Sequence, residues 1–394
     1  MWSCVLPADA CHGKDAMRFR FQFRRYQLPF RSAVRTAHGP WATREGIIVK
    51  LQDVSEGGSG AVGYGEATPI PWFGTETVDE AEAGCRGVGE WIEETVLESV
   101  PKNLTCLRNA LAGARREARA KASDAAVVAP VVTSVGVAAL LPAGRGALPQ
   151  IEPKAEIGFR VFKWKVGVGD LADELALLDD VCAALPNGAK LRLDANGAWD
   201  RRKAERWLER CADRPVEFVE QPCFADAAQG ATAQRRMDDV LLGLAGDYPT
   251  PLALDESLIG ENDLERWIGA GWPGIYVVKP SLFGDVEAAM EHLEKARANV
   301  VFSSALETAV GAKAALRVAF AWREPETSAR TVQADAAAGA PVAKTVPAVP
   351  RRALGFGVWP LFADPQFDGP ATAPFLRFED VQAIDAANVW NALS

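Results

Sequence analysis

From Met17 onward, apolar and polar positions alternate: Phe19, Phe21 and Phe23 fall between Arg18, Arg20, Gln22 and Arg24. A period of two marks a strand with one buried face. Two more strands are expected around residues 46–51 and 61–66, set apart by glycine-rich turns, so the chain opens with a small antiparallel sheet. Residues 77–120 are rich in Ala, Glu, Leu and Arg with Pro101 as the main break, which predicts two or three helical pieces. Strands followed by helices are the order of an α+β domain.

After about Val131 the rhythm changes to short apolar or β-branched runs separated by helical stretches, the pattern of parallel βα units. Eight strands are expected, near 137–141, 161–166, 191–194, 217–220, 252–255, 274–279, 300–304 and 354–358. Eight parallel strands imply a closed barrel. The expected division is an extension without periodicity over 1–16, an α+β domain over 17–130 completed by about 372–394, and the barrel over 131–371. The Ala- and Pro-rich segment 334–350 is expected to be a long loop before the last strand. The gap of 35 residues between Glu220 and Asp255, against 26 between Asp194 and Glu220, suggests an insertion within 229–250.

Composition narrows the partners. With 394 residues, 48% hydrophobic and 24% charged, the chain has the make-up of a globular protein, and it lacks the run of roughly 20 apolar residues that a membrane span needs. A net charge of −9 argues against a nucleic-acid backbone as partner. The seven cysteines form no C-x-x-C pair, which favours reduced thiols in the cytosol. His12, His38 and His292 are too scattered for a zinc site, so any metal is expected to be held by oxygen.

The C-terminal ends of barrel strands converge on one mouth, where active sites form. Here they carry Lys163 and Lys165, then Asp194, Glu220 and Asp255, then Lys279. Taken singly, a strand-end carboxylate is more often a helix cap or a loop ion pair than a ligand. The order changes that reading: three successive strands end in carboxylates, and the strands on either side of them end in lysines. Three such carboxylates suit Mg²⁺, with Mn²⁺ or Ca²⁺ also fitting. Their excess negative charge gives the lysines an electrostatic role. The period of two points Lys163 and Lys165 into the barrel and Trp164 out towards the helices. Two ammonium groups that close should depress one another's pKa and leave a usable general base.

These residues resemble the enolase superfamily, specifically its muconate-lactonising subgroup, from Met17 to the end. FKWKVG (162–167), LRLDANGAW (191–199), VEFVEQP (216–222), LALDES (252–257) and VVKPSLFG (277–284) look like its two lysine strands and three metal strands. REGIIVKL (44–51) and GYGEATPIPWFGTET (63–77) are similar to its capping-domain segments. The resemblance implies an α/β fold, a TIM-like (β/α)7β barrel with an α+β N-terminal capping domain. It also implies Mg²⁺ on Asp194, Glu220 and Asp255, Lys165 as base, Lys279 as the opposing cation and Lys163 in support; an alternative makes Lys279 the base. Enolase-type pairing of a Lys base with Mg²⁺ is itself a known pattern.

The seventh-strand segment VVFSSALET has no His, which excludes the mandelate-racemase branch, and LFADPQF lacks the Asp-x-Asp of dipeptide epimerases. SSALETAVG (303–311) and Arg192 look instead like the o-succinylbenzoate synthases. That implies a small carboxylate substrate and a cytoplasmic step of menaquinone or phylloquinone synthesis. Arg192, Asn196, Ser303 and Ser304 are the expected substrate contacts. Ser303 and Ser304 have a second reading as caps of the next helix, and Arg192 as a structural ion pair. The rivals are an N-acylamino-acid racemase or dipeptide epimerase on the same framework, and a barrel that binds without catalysis.

Overall fold

The computed structural model describes residues 17–36, 39–123, 130–225, 229–324 and 351–393. The expected 1–16 extension and 334–350 loop lie outside them. The chain opens with β1 (Arg18–Thr36), β2 (Gly39–Asp53) and β3 (Val62–Ala67), followed by α1 (Val78–Val88), β4 (Trp91–Glu93), α2 (Glu94–Glu98) and α3 (Thr105–Ala122). The antiparallel sheet runs β3-β2-β1-β4. Its period of two is visible in the packing. Phe19, Phe21, Ile47, Val49 and Leu51 enter a core with Leu107 and Leu111 of α3, whereas Tyr26, Leu28 and Ile48 join the core shared with the barrel. Helix α3 presses so closely on β3 that a Cβ at Gly63 or Gly65 would lie 1.9 or 1.8 Å from a helix carbonyl oxygen. The short fourth strand was not expected. Its three residues carry no usable period, and only pairing to Arg18, Phe19 and Arg20 makes them a strand.

The second part continues through β5 (Ser134–Gly136), β6 (Ala139–Leu141), α4 (Leu148–Ile157), β7 (Val161–Lys165), α5 (Leu171–Ala184), β8 (Lys190–Asp194), α6 (Arg201–Cys211) and β9 (Val216–Glu220). Then come α7 (Ala231–Asp247), β10 (Leu252–Leu254), α8 (Gly260–Gly269), β11 (Ile275–Val278), α9 (Val286–Lys295), β12 (Asn299–Phe302) and α10 (Ala309–Ala321). Strands β6 to β12 form one parallel sheet in sequence order. Outward residues such as Trp164 pack against the helices, where Trp164 meets Trp207. Phe218, Ala253, Ile275, Val277 and Val301 fill the inside. The lengthened Glu220–Asp255 interval is taken up largely by the 17-residue helix α7.

The eighth strand is less regular than its pattern suggests. Residues 354–355 make single parallel bridges, Leu354 to Val137 on one side and Gly355 to Ser303 on the other, and so bring the two sheet edges together. The approach is too close for side chains: a Cβ at Gly355 would lie 2.6 Å from Ser303 Oγ, and one at Gly357 would lie 2.3 Å from Ala138 O. The chain ends with β13 (Phe375–Arg377), α11 (Phe378–Gln382) and α12 (Ala386–Ala392). Trp390 of α12 lies under the Arg24 guanidinium, 4.4 Å from ring centre to charge, and ties the C-terminal helix to the first sheet.

Candidate active site

Parallel register sets the charged residues in a row. Lys165 pairs with Asp194 and Asp194 with Glu220 at the C-terminal ends of β7, β8 and β9, while Asp255 and Lys279 directly follow β10 and β11. Each βα unit reverses there, so side chains that would have no partner inside an apolar barrel reach its mouth. A cavity of about 690 Å³ opens at this mouth, lined by Lys163, Lys165, Asp194, Asn196, Asp255 and Lys279. Ser303, Ser304 and Glu256 belong to its walls as well. The first domain supplies the roof through Trp41, Ile70, Trp72 and Phe73. Trp41 and Trp72 meet edge to face at 4.8 Å, and the Phe73 ring lies 5.1 Å from Lys279 Nζ.

The lysines ionise differently. Burial opposes the charge on Lys163, but Asp194, Glu220 and Asp255 outweigh it and raise its pKa above the usual range. Its Nζ lies 2.9 Å from Asp194 Oδ2 and 2.7 Å from Glu220 Oε1. Lys279 is likewise raised, with burial opposed by Asp255 and Glu256, and it donates to Asp255. Lys165 goes the other way: burial is the main cause of its lowered pKa, Asp194 and Glu256 oppose, and Lys163 assists. Of the two lysines expected to depress one another, only Lys165 is lowered, and chiefly by burial with Lys163 a lesser cause, while three carboxylates around Lys163 outweigh its burial.

The donors of this floor are all oxygens, the set a hard cation takes. Glu220 is pushed up to about 8 by burial, with Asp194 and Asp255 adding to it against Lys163. Glu256 is pushed up to about 8 by burial and by Asp255 and Asp194. Such shifts mark an excess of negative charge that a divalent cation would relieve. Among the described residues two buried oxygens, Asn196 Oδ1 and Glu256 Oε2, accept no hydrogen bond, although Asn196 Nδ2 donates to Glu256 Oε1 at 3.1 Å. These residues fit Mg²⁺. In this arrangement each carboxylate is drawn onto an ammonium group, and among the described residues no three acidic, His or Cys side chains close on a single point.

Arg192 is not at the mouth. It lies inside the barrel below Asp194, 1% exposed, with Nε donating to Glu217 Oε2 at 2.7 Å and Nη1 to Ala353 O at 2.8 Å. Strand parity placed it on the correct face, but one layer too deep to meet a ligand, so the ion-pair reading replaces the substrate contact. Neither serine caps α10, since Thr308 does so. Ser303 Oγ lies 3.2 Å from Gly355 O, and Ser304 Oγ lies 3.1 Å from Glu307 Oε2. Glu256 and Phe73 were missed. Glu256 stands beside a predicted ligand in LALDES, which was a usable signal, whereas nothing in the sequence brings Phe73 to Lys279.

Comparison with known proteins decides the family. A family profile described as enolase C-terminal domain-like matches residues 150–358, and one described as MenC, N-terminal domain, matches residues 17–106. An o-succinylbenzoate synthase of Thermosynechococcus vestitus is 36% identical over 309 residues, 77% of this chain and 89% of that protein. The chain belongs to the o-succinylbenzoate synthase family. A second member, from Edwardsiella ictaluri, is 29% identical over 77% of this chain and 86% of its own length. The crystal structure of o-succinylbenzoate synthase from Thermosynechococcus elongatus BP-1, which has Mg in its active site, superposes with a TM-score of 0.69 at 32% identity. That match covers 90% of this chain and 96% of the other. A dipeptide epimerase from Enterococcus faecalis superposes at 0.71 with 19% identity, over 92% of this chain and 97% of the other, a likeness of fold alone. Membership in the o-succinylbenzoate synthase family makes the chain a carbon–oxygen lyase of the enolase superfamily, with its charged floor in the parallel barrel and its roof in the antiparallel domain.

Proposed function

We propose that this enzyme dehydrates 2-succinyl-6-hydroxy-2,4-cyclohexadiene-1-carboxylate to 2-succinylbenzoate, with Mg²⁺ held by Asp194, Glu220 and Asp255. A bound Mg²⁺ supplies charge neutralisation of the substrate carboxylate and so acidifies the adjacent C–H. Lys165 removes that proton. Its lowered pKa makes the neutral amine accessible, as a general base requires. The Lys279 ammonium, kept charged by Asp255, stabilises the flat enediolate. Lys165 then returns the proton to the departing hydroxyl, so that one water is lost and the ring becomes aromatic. Lys163 holds Asp194 and Glu220 in place.

What carries this reading is that Lys165 and Lys279 line one cavity with pKa values shifted in opposite directions, Lys165 lowered chiefly by burial and Lys279 raised by Asp255 and Glu256 against burial. It favours Lys165 over Lys279 as the base. Ser303, Ser304 and Asn196 are proposed to meet the polar parts of the substrate, under an aromatic roof that excludes water. The reaction is proposed to serve menaquinone or phylloquinone synthesis in the cytoplasm, in keeping with the free thiols of Cys85, Cys106, Cys182, Cys211 and Cys223. No described helix is long and apolar enough to cross a membrane. The test mixes purified protein, Mg²⁺ and the cyclohexadiene acid and follows aromatic absorbance. Appearance of 2-succinylbenzoate supports the proposal, and its absence with folded protein ends it.

A further inference from the structure

Arg44 of β2 is 1% exposed, and among the described residues it has no carboxylate at ion-pair distance. A guanidinium has five N–H donors, and all five are used on backbone carbonyls. Nη1 donates to Pro69 O at 2.8 Å and Glu45 O at 3.2 Å, and Nη2 donates to Thr68 O at 2.8 Å. These bonds lie within the first domain. Nη2 also donates to Ala305 O at 3.3 Å, and Nε donates to Leu306 O at 3.2 Å, across to the barrel. The same group lies 5.0 Å from the centre of the Trp41 ring.

All of these contacts but that to Glu45 back a wall of the substrate cavity. Thr68 and Pro69 lead directly into Ile70, Trp72 and Phe73 of the roof, Trp41 is part of the roof, and Ala305 and Leu306 are part of the opposite wall. Leu306 takes a left-handed conformation, φ +61°, which a leucine adopts only under external constraint. Arg44 and Glu307 supply that constraint from two sides. Glu307 accepts from the Ala305 N–H at 2.5 Å while Arg44 holds the carbonyls of Ala305 and Leu306. Five backbone carbonyls from the antiparallel domain and the barrel converge on this one planar group, whose fixed fork sets their positions relative to one another. The geometry points to a positioning role. We infer that Arg44 registers the aromatic roof against the Ser304–Leu306 wall and thereby sets how tightly the substrate is held. It does so without touching substrate or any of the floor carboxylates.

This inference rests on the dehydration reading above, so wild-type turnover is measured first, and its absence defeats that reading and not this one. Arg44→Lys keeps the charge, but its three N–H groups radiate from one atom and cannot span both domains. Arg44→Ala removes the group and leaves a space of guanidinium size. KM is expected to rise about tenfold or more in both variants, with the Mg²⁺ concentration for half-maximal rate unchanged. Added guanidinium ion is expected to lower the KM of Arg44→Ala, and methylammonium is not. A wild-type KM in Arg44→Lys would overturn the inference. So would loss of Mg²⁺ response in parallel with KM and no guanidinium rescue, or failure of both variants to fold, since each would make Arg44 a general structural residue.

Discussion

Lys163 and Lys165 stand two residues apart on one strand and face the same cavity, yet three carboxylates outweigh burial and raise the pKa of Lys163 while burial lowers that of Lys165. This divergence assigns them different work: one is a permanent cation that organises acids, the other an amine that can exchange a proton.

Replacement of Lys165 by Ala is expected to lower kcat by about three orders of magnitude, in the range that general acid–base catalysis supplies. Mg²⁺ affinity should persist, because the ion is proposed to rest on the carboxylates of Asp194, Glu220 and Asp255, which this substitution leaves in place. Isothermal titration with Mg²⁺ beside a turnover assay checks both halves, and a variant that keeps wild-type kcat would move the base to Lys279.

The rate should rise with pH. Lys165 is a base only when unprotonated, and its pKa lies below the ordinary 10.5, chiefly through burial. The ascending limb of kcat/KM against pH is therefore expected at a midpoint below 10.5. A limb at or above that value would mean that the cavity does not desolvate the amine.

Glu307 gives stability a dependence of the opposite slope. Burial, with Glu66 adding to it, raises its carboxyl from 4.5 to about 7. A raised carboxyl favours the folded state fully below its unfolded pKa and loses that contribution as pH climbs through the folded value. The window is thus about 4.5 to 7, and the effect is on the order of 3 kcal/mol. Wild-type Tm should fall across this window more than that of Glu307→Gln, as scanning calorimetry would show. Parallel curves would contradict the burial argument.

Glu66 couples the antiparallel sheet to helix α10. Its oxygens accept from Tyr26 Oη at 2.5 Å, from the Thr308 N–H at 2.9 Å and Oγ1 at 2.5 Å, and from the Gly311 N–H at 2.7 Å, at the start of α10. Glu66→Gln turns one of the two acceptor oxygens into an NH2 donor facing donors and should cost about 1–3 kcal/mol, seen as a lower midpoint in urea. An unchanged midpoint would show that water or a rotated amide restores the bonds.

The floor of the site was legible because it obeys local rules. Alternation puts Lys163 and Lys165 on one face, and strand ends expose Asp194, Glu220, Asp255 and Lys279. The roof and its supports were not. Arg44 reaches Leu306 across 262 residues of sequence, and Glu66 reaches Thr308 across 242. No periodicity encodes such pairings. Arg192 shows the limit of parity, which gives the face of a strand but not the depth. The expected eighth strand is reduced to single bridges at Leu354 and Gly355, which its apolar run could not reveal because pairing depends on the two edges it meets.

The most direct measurement is a crystal structure of the enzyme with Mg²⁺ and 2-succinylbenzoate. The account predicts one ion on Asp194, Glu220 and Asp255, with the aromatic ring between Lys165 and Lys279. An ion elsewhere, or the ring lying outside the two lysines, would contradict it.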